Sequence, residues 1–284
     1  MPLETSHEIL SRARDRGYAV GAFNANNLEM VQAIVEAAEL ERAPVILQVS
    51  QGAIKYAGLN HTAGMVKTAA EAAGVPVVLH LDHGLDFEQE VRCLRAGFTS
   101  LMFDGSSLSF EENVSLTRKV VEMAHAVGIP VEAELGRVGG TEDDLGEDDL
   151  QALMTDPEEA VRFVELTEVD SLAVSVGTVH RMKTRAAVLD LQRLEAIRKL
   201  VSVPLVLHGA SGVPDDGVRA AVQRGIAKIN IATELNKAFT GAMKAAGEAK
   251  PGEVDPRRIL SEARTATRET VREKIRLFGS SGKA

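Results

Sequence analysis

The sequence has few features of a secreted or membrane-spanning protein. Its 284 residues include one cysteine, Cys93, which excludes an internal disulfide framework and fits a reducing compartment. No segment approaches the ~20 consecutive apolar residues that span a bilayer. Residues 1–14 carry charges where a signal peptide needs an apolar run, so we expect no export signal. A cytoplasmic location without a membrane partner is therefore expected.

Positive charge is also scarce. The chain has 41 acidic and 32 basic residues, a net charge of −9, which is a poor match for a polyanion, so we expect no nucleic-acid partner. Such a chain can still bind a small anion at a metal, a helix N-terminus or a few basic side chains. Hydrophobic residues make up 45% of the sequence, which is typical of a globular protein with a sizeable core.

Eight short apolar runs alternate with amphipathic helical patterns along the chain. The runs are nearly continuous in apolar residues, as in parallel strands that are covered on both faces. The predicted strands are residues 18–24, 44–50, 76–83, 98–104, 130–134, 171–177, 204–208 and 226–233. This alternation predicts a single (β/α)₈ TIM barrel over residues 1–284, with an open doubly wound sheet as the alternative.

The connections between the strands read mostly as helices. Helices are predicted over residues 28–42, 110–127, 157–166, 189–200 and 215–224. An extra helix is expected at about residues 255–278 of the C-terminal tail, as a solvated face or a subunit contact. The glycine- and carboxylate-rich loop 139–149 is either a mobile lid or an acidic surface loop.

Polar side chains lie at the ends of the predicted strands, where a TIM barrel builds its active site. Three of the seven histidines, His83, His180 and His208, fall at or just after strand ends. Three imidazoles with an open position are typical of catalytic zinc, so we predict a metal site there. His80 precedes His83 in the same strand and is expected to support the core or the ligands.

Carboxylates accompany these histidines. Glu132 and Glu134 are two residues apart, so on a strand they share a face. One interpretation is an inner barrel layer that a buried base such as Lys228 neutralises. Asp82 adjoins His83 and could move a proton if burial tunes its pKa.

The segments after the last two predicted strands are rich in small and hydroxyl residues. Residues 208–214 read His-Gly-Ala-Ser-Gly-Val-Pro, and residues 229–234 read Ile-Asn-Ile-Ala-Thr-Glu. Each precedes a predicted helix. TIM barrels often bind phosphate in these two loops, on backbone N–H groups and a helix N-terminus, so the pattern favours a phosphorylated substrate.

These motifs resemble the zinc-dependent class II ketose-bisphosphate aldolases, which include the fructose-1,6- and tagatose-1,6-bisphosphate aldolases. The resemblance implies reversible cleavage of a ketose 1,6-bisphosphate to dihydroxyacetone phosphate and glyceraldehyde 3-phosphate, or of a related ketose phosphate. It also implies a homodimer or homotetramer, and a monovalent cation, Na⁺ or K⁺, near the bound phosphate. The matching segments are residues 21–24, 80–84, 132–136, 139–143, 176–180, 207–212 and 228–233.

The resemblance also implies roles for individual residues. His83, His180 and His208 would bind one Zn²⁺, and Glu134 would join them when the site rearranges. The metal would bind dihydroxyacetone phosphate and stabilise its enediolate. Asp82 would exchange a proton with the C4 hydroxyl, Glu142 would do so with the carbon nucleophile, and Asn24 would hydrogen-bond the enediolate. Asp104 and Glu132 would support the metal ligands. The residues implied in substrate or phosphate binding are Ser50, Arg181, Gly209, Ser211, Asn230, Ala232 and Thr233.

Two positions depart from the family pattern. Arg181 stands where the family usually has a glycine whose backbone approaches the phosphate, so either the backbone differs or a guanidinium replaces the N–H contacts. Ala232 stands where many fructose-specific members have aspartate, and the surrounding sequence is closer to the tagatose-type subgroup.

Two alternatives stay open at the level of sequence. A Schiff-base aldolase could use Lys228 as its nucleophile, although the three histidines would then have no purpose. A non-catalytic partner subunit could keep the barrel without the chemistry, but it would be expected to lose ligands or the acid–base residues.

Overall fold

The computed structural model describes residues 3–137, 153–178 and 187–284, so the predicted loop 139–149 lies outside the described residues. Its strands form one parallel sheet in the order β3-β2-β1-β8-β7-β6-β5-β4. The strands are β1 (Val20–Asn24), β2 (Val45–Ser50), β3 (Val77–Asp82), β4 (Leu101–Phe103), β5 (Val131–Leu135), β6 (Ser171–Val174), β7 (Leu205–Leu207) and β8 (Ile226–Ile231).

The two ends of this sheet meet and close a barrel. Parallel bridges join His80 to Ser100 and Gly84 to Phe103, between the β3 and β4 regions. The N–H of Gly84 donates to the Met102 carbonyl at 2.9 Å across the same junction. The predicted TIM barrel is therefore confirmed, and the open doubly wound sheet is wrong because the strand order runs around the barrel without reversal.

Helices cover the outside of the barrel, and the predicted ones are confirmed to within two residues at each end. None of the helices in the described ranges is long and apolar enough to cross a membrane. The helices are α1 (Ser6–Arg16), α2 (Leu28–Glu41), α3 (Gln51–Ala57), α4 (Leu59–Ala72), α5 (Phe87–Arg95), α6 (Phe110–His125), α7 (Pro157–Thr167), α8 (Leu191–Leu200), α9 (Asp215–Gln223), α10 (Thr233–Ala249) and α11 (Pro256–Leu277).

Capping residues set where several helices begin. The side chain of Asn27 accepts a hydrogen bond from the N–H of Met30 at 3.0 Å at the start of α2. Asp156 accepts from two N–H groups of the first turn of α7, ahead of a proline at the first helical position. These caps orient each helix as it leaves the carboxyl end of a strand.

The C-terminal helix α11 is more than a solvated face. It packs against α2 and α10, with Ala263, Val271 and Ile275 completely buried. The carboxylate of Glu41 on α2 accepts hydrogen bonds from Arg272 and Arg276, both at the end of α11. The tail therefore covers the barrel wall, which the sequence did not indicate.

The interior of the barrel becomes more polar toward the carboxyl ends of the strands. Alternate residues of β3 share a face and read Val78, His80 and Asp82. At the opposite end, Ile9 and Leu10 of α1 join an apolar cluster with Val78. The fold thus seals the amino end with apolar side chains and leaves the carboxyl end for polar chemistry.

Candidate active site

The mouth of the barrel contains a cavity of about 730 Å³ at the carboxyl ends of the strands. Eleven of the residues predicted from sequence line it. Glu132 and His208 are buried and are not among the described residues of its wall, and the predicted residues Glu142, His180 and Arg181 lie outside the described part of the chain. The predicted residues in the wall are Asn24, Ser50, Asp82, His83, Asp104, Glu134, Gly209, Ser211, Asn230, Ala232 and Thr233.

His83, Glu134 and His208 bring three metal-ligating atoms within 4.8 Å of one another. His83 Nε2 lies 3.2 Å from His208 Nδ1, and His208 Nδ1 lies 3.6 Å from Glu134 Oε2. Ligand atoms around a tetrahedral zinc ion are about 3.3 Å apart, given bonds of about 2.0–2.1 Å. The donor set and its spacing therefore fit a zinc ion.

A carboxylate orients each of these imidazoles. His83 Nδ1 donates to Asp104 at 2.7 Å, and His208 Nε2 donates to Glu132 at 3.0 Å. Because a carboxylate accepts from one ring nitrogen, the lone pair of the other nitrogen points into the cluster, as in metal-binding histidines. His83 also adopts a left-handed backbone (φ 52°), which is uncommon outside glycine and fixes the ring over the cavity.

The electrostatics of the cluster favour positive charge. Burial lowers the pKa of His83, but the nearby carboxylates of Asp82, Asp104 and Glu134 outweigh burial and raise that pKa to about 10. Burial would raise the pKa of Asp104, yet the hydrogen bond from His83 and its charge hold it well below its usual range. A site that stabilises an imidazolium so strongly also suits a bound cation.

Beneath the cluster lies a buried polar network that begins at Lys228. Its Nζ donates to Glu132 at 2.7 Å and to His80 Nε2 at 3.1 Å. His80 in turn donates through Nδ1 to the Ser100 hydroxyl at 2.7 Å. Burial, followed by the charge of Lys228, lowers the pKa of His80, so the imidazole stays neutral and can accept from the lysine. The interpretation of Lys228 as the base that neutralises an inner carboxylate agrees with this arrangement.

Asp82 is held in one orientation by amide side chains. Asn24 Nδ2 donates to Asp82 Oδ2 at 2.8 Å, and Gln48 Nε2 donates to Asn24 Oδ1 at 2.7 Å. Asn230 Nδ2 lies 3.4 Å from the other carboxylate oxygen. Asp82 Oδ1 is also 3.8 Å from His83 Nε2, so the carboxylate stands beside the metal-ligand cluster, within reach of a ligand held there.

The loops after β7 and β8 form one wall of the cavity. Gly209 has φ 66°, a conformation that suits glycine, and is followed by a short 3₁₀ helix, Ala210–Gly212. The N-terminus of α10 begins beside Ala232 without a side-chain cap from a described residue, so its first N–H groups are available to a ligand. We call this wall, formed by Gly209, Ser211, Ala232 and Thr233, the β7–β8 cradle.

Comparison with known proteins adds to this geometry. The family model described as fructose-bisphosphate aldolase class-II matches residues 4–283. The chain belongs to this family of aldolases. It is therefore a lyase of carbon–carbon bonds, and the alternative of a non-catalytic subunit is wrong.

Individual relatives agree with this family over their full lengths. The protein named fructose-bisphosphate aldolase from Thermus caldophilus is 47% identical, and the alignment covers 99% of this chain and 100% of that protein. The crystal structure of the YdjI aldolase from Escherichia coli K12 has a TM-score of 0.88 at 39% identity, with 99% of both chains covered. The fructose-bisphosphate aldolase structure from Campylobacter jejuni, at 24% identity and a TM-score of 0.85 over 100% of this chain and 97% of that one, shares the fold.

Several residues of this aldolase reach the cavity although the sequence analysis did not select them. Gln48 could have been found, because it is a polar residue in an apolar strand and lies two positions before Ser50, on the same face. Asn26, in the loop after β1, donates to Asn236 in the first turn of α10 through a 3.0 Å hydrogen bond that no local pattern indicates. Arg137 lies two residues after the end of β5, beyond the two glutamates that the strand pattern selects.

Proposed function

We propose that this aldolase cleaves a ketose 1,6-bisphosphate reversibly to dihydroxyacetone phosphate and glyceraldehyde 3-phosphate, with zinc bound by His83, His180 and His208. The observation that carries the proposal is the convergence of His83, His208 and Glu134 within 4.8 Å beside Asp82. The name of the Thermus caldophilus relative, fructose-bisphosphate aldolase, supports fructose 1,6-bisphosphate as the sugar.

His83 and His208 would hold the zinc through Nε2 and Nδ1, the two nitrogens that face each other. Asp104 and Glu132 keep these lone pairs directed at the metal position by accepting from the remaining ring nitrogens. The metal, when bound, supplies Lewis-acid stabilisation of negative charge on substrate oxygen. Glu134 is the carboxylate that could join the ligands.

Asp82 would accept the proton of the C4 hydroxyl during cleavage and return it in the condensation direction. Its two amide partners each contact one carboxylate oxygen and keep the group oriented at the cavity, which is what proton transfer in a defined direction requires. Asn24 would hydrogen-bond the substrate oxygens from the same side. Glu142 is proposed, from the family resemblance, to handle the proton on the carbon nucleophile.

The phosphate of dihydroxyacetone phosphate would bind in the β7–β8 cradle. Backbone N–H groups of the 3₁₀ turn and of the start of α10 provide donors, and the helix dipole of α10 favours a negative charge there. Ser211 and Thr233 add hydroxyl donors. Arg181 would contribute a guanidinium in place of the family's glycine.

Tagatose 1,6-bisphosphate is a second candidate substrate. It differs from the fructose compound only at C4, and Ala232 lines the cavity where many fructose-specific members have aspartate. An aspartate there would add a negative charge and hydrogen-bond acceptors to the cavity wall. Alanine offers neither, so the sugar hydroxyls have different hydrogen-bond partners at this position.

The test is steady-state cleavage of both bisphosphates, with metal analysis of the same preparation. We expect activity with at least one sugar, about one zinc ion per subunit, loss of activity with a chelator and recovery with zinc. Borohydride added during turnover should trap no lysine, since Lys228 is fully buried and is not among the described residues of the cavity wall. Full activity in metal-free protein, or a trapped lysine, would overturn the proposal.

Three further properties follow the family resemblance and are proposed with it. A homodimer or homotetramer can be tested by light scattering, and a role for Na⁺ or K⁺ by assays in which a bulky organic cation replaces both. A cytoplasmic location fits a single buried free cysteine.

A further inference from the structure

The ladder between β4 and β5 ends one residue before two carboxylates of the active site. Its last pair is Phe103 and Ala133. The next residues are Asp104 and Glu134, and their carboxylate oxygens lie 2.7 Å and 3.8 Å from Nδ1 of His83. The described ladder stops below this level, so another contact has to set the distance between the two strand ends.

Asn113 on α6 lies between these strand ends, with its side chain buried. Its Nδ2 donates to the carbonyl of Glu134 at 3.0 Å. On the other side, a Cβ built on Gly105, the residue after Asp104, would collide with Asn113 Oδ1. Glycine at residue 105 therefore lets the end of β4 approach the amide closely. The amide connects the two strands beyond their last ladder pair.

Two further features fix the orientation of the Asn113 amide. The hydroxyl of Thr117, which is completely buried one turn later, donates to Asn113 Oδ1 at 2.9 Å. Because Oδ1 accepts this bond, the NH₂ end of the amide faces Glu134. The start of α6 is itself fixed by a capping box between Ser109 and Glu112. The helix therefore presents the amide in one position and one orientation.

The polar pair Asn113 and Thr117 contrasts with the rest of the inner face of α6. The other buried residues of this helix are Val120, Val121 and Ala124. Apolar side chains fill such a contact between a helix and a sheet without the cost of burying polar groups. The polar residues lie only in the part of the helix next to the active site. This placement indicates that they hold a strand end and do not simply fill the core.

We propose that Asn113 is a positioning residue for the metal site. Its hydrogen bond to the Glu134 carbonyl sets the separation between the Asp104 and Glu134 carboxylates, and with it the reach of Glu134 toward a metal ion. Asn113 is not among the described residues of the cavity wall, so it acts through Glu134. The inference rests on the proposed function, in which zinc is bound at His83 and His208.

The test measures the zinc dissociation constant, by competition with a chromogenic chelator, and the visible spectrum of the cobalt-substituted protein. Asn113→Ala removes the donor to Glu134. We expect it to weaken zinc binding by about 10-fold, as for other residues that support metal ligands, and to change the cobalt absorption bands. Thr117→Val has the same shape as the wild type but frees the amide to rotate, so it should weaken binding by about threefold.

Thr267→Val on α11 is the matched control. Thr267 is also completely buried, and its hydroxyl donates to the Ala263 carbonyl within its own helix. This variant should change neither the zinc dissociation constant nor the cobalt spectrum. Urea denaturation of all the variants measures stability separately, so a general loss of stability is distinguished from a displaced carboxylate.

The same measurements in a Glu134→Gln background show whether Asn113 acts through the carboxylate. Asn113→Ala should then alter the zinc dissociation constant by less than about twofold, because the group that it positions is gone. Equal losses in both backgrounds, unchanged zinc binding or an unchanged cobalt spectrum would each overturn the role of Asn113. If Asn113→Ala does not fold, Thr117→Val decides by the same criteria.

Failure of the proposed function would give a different result. A wild type that binds no zinc, or that binds it with undiminished affinity after His83→Ala, would overturn the metal site and this inference with it. A wild type that binds zinc through His83, with an affinity that does not depend on Asn113, would overturn this inference alone.

Discussion

Lys228 and Glu132 form an ion pair with an N–O distance of 2.7 Å in the barrel interior, where the lysine side chain is 0% exposed and the glutamate 2%. The second oxygen of Glu132 accepts from His208 at 3.0 Å. A buried lysine on β8 therefore fixes the carboxylate that orients His208, which directly follows β7. Two experiments separate its effect on metal binding from its effect on stability.

Glu132→Gln should weaken zinc binding by about 10- to 100-fold, because an amide orients the His208 ring less strongly than a carboxylate does. Competition with a chromogenic chelator measures the affinity. Glu262→Gln, an exposed change on α11, is the matched control. Unchanged affinity in Glu132→Gln would show that His208 needs no carboxylate behind it.

Lys228→Met should lower the free energy of unfolding by about 3–5 kcal/mol, since it leaves Glu132 buried without its countercharge. Adding Glu132→Gln to this variant should restore part of the loss, because both charges are then removed together. Urea denaturation of the metal-free proteins gives the values for the double-mutant cycle. Strictly additive effects would contradict a direct pair.

Asp82→Ala should keep its zinc but lose about 10²- to 10⁴-fold in the rate of cleavage, as expected when a positioned proton acceptor is removed. Metal analysis and steady-state kinetics of one preparation give both numbers. Asp86→Ala, at the exposed start of α5, serves as the control because it removes a carboxylate outside the described cavity wall. Undiminished turnover would remove Asp82 from the reaction.

Glu41 should make the protein sensitive to acid. Hydrogen bonds from Arg276, with smaller contributions from Arg272 and Ser281, lower its pKa to about 2. A depressed pKa in the folded state gives stability that is complete above the ordinary value near 4.5 and is lost as the pH falls toward 2. Urea titrations should therefore show wild type more stable than Glu41→Gln at pH 7, with the difference shrinking below pH 4.5. A pH-independent difference would contradict this linkage.

Cys93 should react slowly with thiol reagents in the native protein. Burial raises the pKa of its thiol to about 12, so the reactive thiolate is almost absent below pH 10. A colorimetric thiol assay should detect about one thiol after denaturation and almost none before. Rapid native reaction would show that α5 opens readily from the barrel wall.

The sequence predicted the elements that depend on local patterns. Continuous apolar runs located all eight strands. The rule that the active site of a TIM barrel lies at the strand ends selected Asp82, His83 and His208, which the structure brings together in one cluster. Helices α1, α3, α4 and α5 were not predicted. In α5, for example, Cys93 is the single completely buried apolar side chain, so the apolar periodicity is too weak to recognise.

Contacts between distant strands could not be predicted from residues alone. The pairing of Glu132 with both Lys228 and His208 depends on the register among β5, β7 and β8, which includes a shift between Leu205 and Val206. Local propensity contains no information on that register.

The hydrogen bond between His83 and Asp104 also contributes to the junction between β3 and β4. Two isolated bridges and backbone hydrogen bonds, such as that from Leu81 to Ser100, join these strands within the described structure, and the 2.7 Å bond from His83 to Asp104 spans the same gap. The His83 imidazole at the cavity thus also helps to hold the barrel closed. Replacing Asp104 would remove one contact across this junction, and a cation bound to His83 would stabilise it, so chemistry and barrel closure depend on the same few atoms.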